Sequence, residues 1–170
     1  WDTSKVTSLG HMFNRASNFN QRISDWDVSR VTLLRGTFLS ANSYDQPLAA
    51  WDVAFVTDMK YTFGACDALD YNNIYSRSDC ATVFNQPLAA WNVARVTIFS
   101  YMFLGARRFN QPLADWDVAK ASGGLLDSEC TIYYFCSLIF WHIKNQPYQY
   151  VYLNSLTQKY FNKFEKDYWG

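Results

Sequence analysis

Phe109-Asn110-Gln111-Pro112-Leu113-Ala114-Asp115-Trp116-Asp117-Val118 decides how this chain is read, because near-copies of it recur upstream. They are Phe19-Asn20-Gln21-Arg22-Ile23-Ser24-Asp25-Trp26-Asp27-Val28, Tyr44-Asp45-Gln46-Pro47-Leu48-Ala49-Ala50-Trp51-Asp52-Val53 and Phe84-Asn85-Gln86-Pro87-Leu88-Ala89-Ala90-Trp91-Asn92-Val93. The tryptophans set the register. Trp1, Trp26 and Trp51 are 25 residues apart, as are Trp91 and Trp116, and only Trp51 to Trp91 breaks step at 40. A period of this length predicts a stack of repeated units rather than one globular core.

With each Trp as position 1, the apolar columns assign a role to most positions. Position 3 is Val28, Val53, Val93 and Val118, and position 23 is Ile23, Leu48, Leu88 and Leu113. The segment from position 23 through Trp to Val is rich in β-formers and predicts a short strand. Val-Thr follows at positions 6 and 7 in four copies, with the Thr placed to cap a helix. Positions 9, 13 and 16 are then apolar: Leu9, Phe13, Ala16; Leu34, Phe38, Ala41; Met59, Phe63, Cys66; Phe99, Phe103, Ala106. That spacing marks one face of a helix. An aromatic at position 19 precedes Asn-Gln-Pro, where Pro stops helix continuation. The expected fold class is therefore α/β, a solenoid of short strands and short helices in about four to five coils, with an atypical C-terminal segment. No unit can bury its own apolar face, so stacking is obligatory.

The repeat region is 1–120: repeats 1–25, 26–50, 51–90, 91–115 and a partial one from 116. The third carries an insertion of 15 residues (40 minus 25) between Cys66 and Cys80, expected to be a loop at 67–79. A Cys66–Cys80 disulfide would pin its base, while Cys66 equally fills a small apolar position as a free thiol. After Lys120 the period fails, and 121–170 reads either as a C-terminal cap over the last coil or as sequence foreign to the repeat. The chain begins in repeat phase at Trp1, as a fragment or processed product would.

The formal net charge is zero, with 49% apolar and 18% charged residues. No global field favours nucleic acid or an anionic membrane. No run reaches the roughly 20 apolar residues of a membrane-spanning helix. The sequence shows no nucleophile elbow, phosphate loop or His-Glu-rich helix, so no enzyme activity is expected.

The Trp-Asp-Val-(Ser/Ala)-x-Val-Thr string, the Phe three residues before Ala, and Phe-Asn-Gln-Pro-Leu together resemble the BspA-type leucine-rich-repeat surface proteins, over Trp1 to about Lys120. The resemblance implies a leucine-rich-repeat-like solenoid, display at the cell surface or secretion, and adhesion or protein binding. It implies no catalytic residue and no cofactor. The Met pair that the resemblance leads one to expect in each helix is lost in repeats two and three, where Thr37 and Thr62 stand at the second site.

Three further columns have a functional and a structural reading. The position-2 acids Asp2, Asp27, Asp52 and Asp117, with Asn92, are read as caps on local turn amides rather than as a cation ridge. The Asn and Gln at positions 20 and 21 are read as a hydrogen-bonded ladder, and the Trp column as core rather than a sugar platform. Position 5 carries Lys5, Arg30, Phe55, Arg95 and Lys120 and is the candidate binding column. No metal site is expected. The expected function is a surface or secreted recognition module for a protein or glycan partner, and the alternative is a passive spacer.

Overall fold

The structure, a computed structural model, describes residues 1–65, 82–103, 106, 108–113 and 115–121. The 67–79 insertion, the Cys66–Cys80 pairing and the segment beyond 121 lie outside the described residues.

Successive repeats lie on one another in register. Parallel bridges join Ser8 to Leu33, Leu33 to Asp58 and Asp58 to Ile98, so position 8 meets position 8 of the next coil. The expected α/β solenoid of strands and helices is not what forms. Among the described residues there is no helix, and strand pairing goes no further than these isolated bridges.

The hydrogen bonds give the reason. In the segment expected to be helical, Leu9, His11, Phe13 and Arg15 donate their amides to the carbonyls of Leu33, Arg35, Thr37 and Leu39 in the next coil. The residues between close tight turns instead, with Met12 donating to Leu9, Asn14 to His11 and Ala16 to Phe13. Leu34, Gly36, Phe38 and Ser40 repeat the pattern towards Asp58, Lys60, Thr62 and Gly64. An amide committed to a neighbouring coil cannot also close the i→i−4 ring of an α-helix. The result is a ribbon of β-turns whose every second N–H is spent across the stack.

In each of the first two coils the first and third of these turns have a left-handed residue at their third place, as a type II turn requires, and the middle turn, with Phe13 or Phe38 there, does not. His11, Gly36, Tyr61 and Tyr101, all at position 11, have φ of 57°, 61°, 58° and 59°. Arg15 and Ser40, at position 15, have φ of 60° and 58°. For a residue with a Cβ this costs about 1–2 kcal/mol, and the cross-coil bonds offset it.

The Thr expected to cap a helix also has another partner. Thr32 donates both its amide and its hydroxyl to the Thr7 carbonyl, at 2.9 and 3.2 Å. Thr57 treats Thr32, and Thr97 treats Thr57, in the same way. The strand expected from position 23 to position 3 is instead the start of a corner: Trp26 donates back to Ile23, and a second turn follows as Val31 donates back to Val28.

The interior is continuous across the coils. Phe13, Phe38, Phe63 and Phe103 stack at 5.5–5.7 Å between centroids. Phe19, Tyr44, Phe84 and Phe109 form a second pile at 5.7–6.2 Å, and the two piles touch within each coil at 4.1–4.3 Å. Val31, Leu34, Leu48, Val53 and Val56 close the core around them, each no more than 1% exposed. Thr37 and Thr62 are equally buried, and each hydroxyl lies within reach of two position-9 carbonyls: Leu9 and Leu34 for Thr37, Leu34 and Met59 for Thr62. Thr is therefore tolerated where Met12 and Met102 stand in the outer coils.

Candidate functional site

The corner that holds position 5 is built from local bonds. At position 2 a side-chain oxygen accepts the amide two residues on: Asp2 from Ser4, Asp27 from Ser29, Asp52 from Ala54, Asn92 from Ala94 and Asp117 from Ala119, at 2.9–3.2 Å. This is the Asx-turn geometry, and it supports the capping reading of that column. Ser4 and Ser29 add their hydroxyls at 2.6 Å. The Ser29 hydroxyl, and then its amide, hold the Asp27 carboxyl below the usual carboxylate range, and Ser4 does the same for Asp2. Among the described residues no three His, Cys, Asp or Glu side chains converge as metal ligands.

The Trp column faces inward along most of its length. Trp51, Trp91 and Trp116 are buried, Trp26 is half-buried and Trp1 is exposed. The indole N–H groups of Trp51, Trp91 and Trp116 donate to the carbonyls of Ile23, Leu48 and Leu88 in the coil below. Trp51, Trp91 and Trp116 stack at 6.5 Å and within 3° of parallel. Trp91, stacked on both faces and donating through its N–H, has nothing left for a sugar.

The amide ladder is present with one variation. Asn20 Oδ1 accepts from the Asp45 amide and Gln46 Nε2, Asp45 Oδ1 from the Asn85 amide and Gln86 Nε2, and Asn85 Oδ1 from the Asn110 amide and Gln111 Nε2. Only an acceptor is required at position 20, so a carboxylate serves at Asp45.

The expected binding residues are all on the surface. Lys5, Arg30, Phe55, Arg95 and Lys120 are exposed, one to a coil. Among the described residues none of the four cations has a carboxylate within ion-pair distance. The structure brings two of the five together: the Arg95 guanidinium lies over the Phe55 ring, 4.6 Å from its centroid. Phe55 is 50% exposed, and Leu33 on the neighbouring edge 40%. These are large apolar groups left in water.

A second outward cluster was not singled out from the sequence. Tyr61 and Tyr101 stack at 4.9 Å, and Lys60 Nζ sits 5.2 and 5.9 Å from their centroids. Beside it Arg35 approaches the Asp58 carboxylate at 3.8 Å. The available signal was an aromatic recurring at position 11 once the 40-residue step is closed.

A family model described as "Mycoplasma protein of unknown function, DUF285" matches residues 1–79 and 71–124. The chain belongs to the DUF285 family. The matched stretches of this DUF285 chain cover the whole stack, and the family's description assigns no activity, ligand or location. No curated protein and no solved structure matches the chain. No helix among the described residues of this DUF285 protein is long and apolar enough to cross a membrane.

Proposed function

We propose that this chain is a non-enzymatic recognition module, secreted or displayed at a cell surface, whose outward corner contacts a protein or glycan partner. The observation that carries this is the division of labour between columns. Inward positions and the Thr, Asn and Trp ladders spend their side chains on the next coil, whereas Lys5, Arg30, Phe55, Arg95 and Lys120 spend theirs on nothing in the core. Exposed aromatic and Arg side chains are the types enriched where proteins bind one another. The resemblance to BspA-type surface proteins supports the same reading and the extracellular location.

The test is a binding screen of the purified chain against arrayed glycans and extracellular proteins, beside an Arg30→Glu/Arg95→Glu variant of unchanged thermal stability. Binding that falls about tenfold or more in the variant supports the proposal. Binding that is unaffected places recognition on another face, and no binding in either leaves the spacer reading, which the cross-coil ladder supports.

A further inference from the structure

The corner that carries position 5 also carries position 2, and the two columns have opposite sign. Lys5, Arg30, Arg95 and Lys120 form one stripe along the stack, and Asp2, Asp27, Asp52 and Asp117 the other, all of them exposed. Each stripe has four charges, which is why the face sums to zero. The coils that depart from the pattern do so together. The third has Asp52 but Phe55 in place of a cation, and the fourth has Arg95 but Asn92 in place of an acid. Across this gap the Arg95 guanidinium lies over the Phe55 ring of the preceding coil, 4.6 Å from its centroid.

A striped face of this kind repels a purely anionic or purely cationic ligand from one half while attracting it to the other. It is complementary to a surface with the same two stripes exchanged. A second copy turned about a two-fold axis parallel to the stack presents that surface, with acid opposite base along the whole length. A two-fold across the stack would set acid on acid. We propose that this corner binds a second copy of the chain side by side, about a two-fold parallel to the stack, with the rungs in register. Lys5, Arg30 and Lys120 then face the partner's Asp2, Asp27 and Asp117, and Arg95, seated on Phe55, lies one rung from the partner's Asp52. The exposed Phe55 ring is covered in the middle of the contact. This rests on the reading that the position-5 corner is the contact face, and it gives that face a partner.

Five rungs about 4.8 Å apart make a stripe about 20 Å long, so the contact is well under the roughly 800 Å² per partner of a standard interface. Exposed ion pairs add little affinity each and are screened by salt. The pairing is therefore weak in solution and becomes strong where copies are held side by side, since tethering raises effective concentration.

The experiment is sedimentation of the whole chain over a concentration series at low and high salt, with melting curves confirming that each variant is folded. The wild type is expected to self-associate at low salt and to weaken about tenfold or more when ionic strength rises to about 1 M, where the Debye length is about 3 Å. Arg30→Glu/Arg95→Glu is expected to be monomeric. Asp27→Asn/Asp52→Asn keeps the turn caps, as Asn92 does, and is also expected to lose self-association. Mixing the two variants restores a heterodimer, because the intact acid stripe of one meets the intact cation stripe of the other. A wild type that stays monomeric throughout, or an association that neither salt nor these variants move, overturns the proposal. Monomeric protein whose partner binding still depends on Arg30 and Arg95 would sink the second-copy proposal alone. The loss of that dependence as well would sink the contact-face reading with it.

Discussion

The first and second coils turn the same columns to the interior and differ in their surroundings. Phe13 and Phe19 are half-buried, whereas Phe38 and Tyr44, at the same positions one coil later, are each 1% exposed. Along the Trp column Trp1 is 96% exposed, Trp26 of the second coil is half-buried and Trp51 of the third is only 3% exposed. The second coil has a coil on each side, and the first has one on a single side. Burial here belongs to the neighbours more than to the residue, as expected of a quasi-one-dimensional stack in which each unit contacts only the next.

This comparison is most directly broken by truncating the same position in both coils. Phe38→Ala is expected to cost about 3–5 kcal/mol, the range for a fully buried Phe, and Phe13→Ala about half as much, measured by denaturant unfolding. Equal losses would mean that neighbour contacts do not set the energetics.

Tyr44 sharpens the contrast next. Among the described residues its buried hydroxyl has no hydrogen-bond partner, and burial pushes its ionisation far above the usual tyrosine range. Phe19, Phe84 and Phe109 occupy the same column without a hydroxyl. Tyr44→Phe is expected to raise stability by about 1–2 kcal/mol, because an unsatisfied buried hydroxyl is removed at constant shape. A loss on substitution would show that the hydroxyl has a partner.

Gly36 and Gly10 give a smaller effect. Gly36 has φ of 61°, and a Cβ there would meet His11 Nδ1 at 2.5 Å, whereas at Gly10 the nearest atom is Ser8 Oγ at 3.3 Å. Gly36→Ala should cost about 1 kcal/mol from the left-handed backbone, and most of that should persist in a Gly36→Ala/His11→Ala double variant, since the exposed imidazole can swing aside. Gly10→Ala should be close to neutral. Full rescue by removing the imidazole would assign the cost to the clash instead.

The smallest effect is shared by both coils. With its carboxyl held low by Ser29, Asp27 contributes stability that is present above the usual carboxylate value and is lost as pH falls through the lower value it has in the fold. Asp27→Asn keeps the cap and removes this contribution, so the acid limbs of the two unfolding curves should converge below about pH 4. Parallel limbs across the whole range would show that the carboxylate is not coupled to folding.

The inward columns were legible because they recur at a fixed step. Val28, Val31, Leu34, Phe38, Leu48 and Val53 are buried where the repeat register placed them. The secondary structure between them was misread, and the reason is specific. Apolar residues at positions 9, 13 and 16 satisfy the period of a helix, and a ribbon of alternating turns places the same residues inward. What separates the two is the destination of the His11, Phe13 and Arg15 amides, and the period of the side chains carries no information on that. The left-handed backbone at Tyr61 and Tyr101 was hidden for a related reason: only Gly36 in that column advertises a positive φ. At the candidate site, the exposed column was visible from the repeat, but the seat of Arg95 on Phe55 was not. It depends on two residues from coils separated by the insertion being stacked neighbours.

The sequence by itself determined which side chains share a column, because a periodic chain that stacks in register must superpose its periods. Only the tertiary structure decided how the backbone travels between those columns. Half of its amides in the turn ribbon find their acceptors in another coil, and a bond between residues so far apart leaves no local mark on the residues that make it.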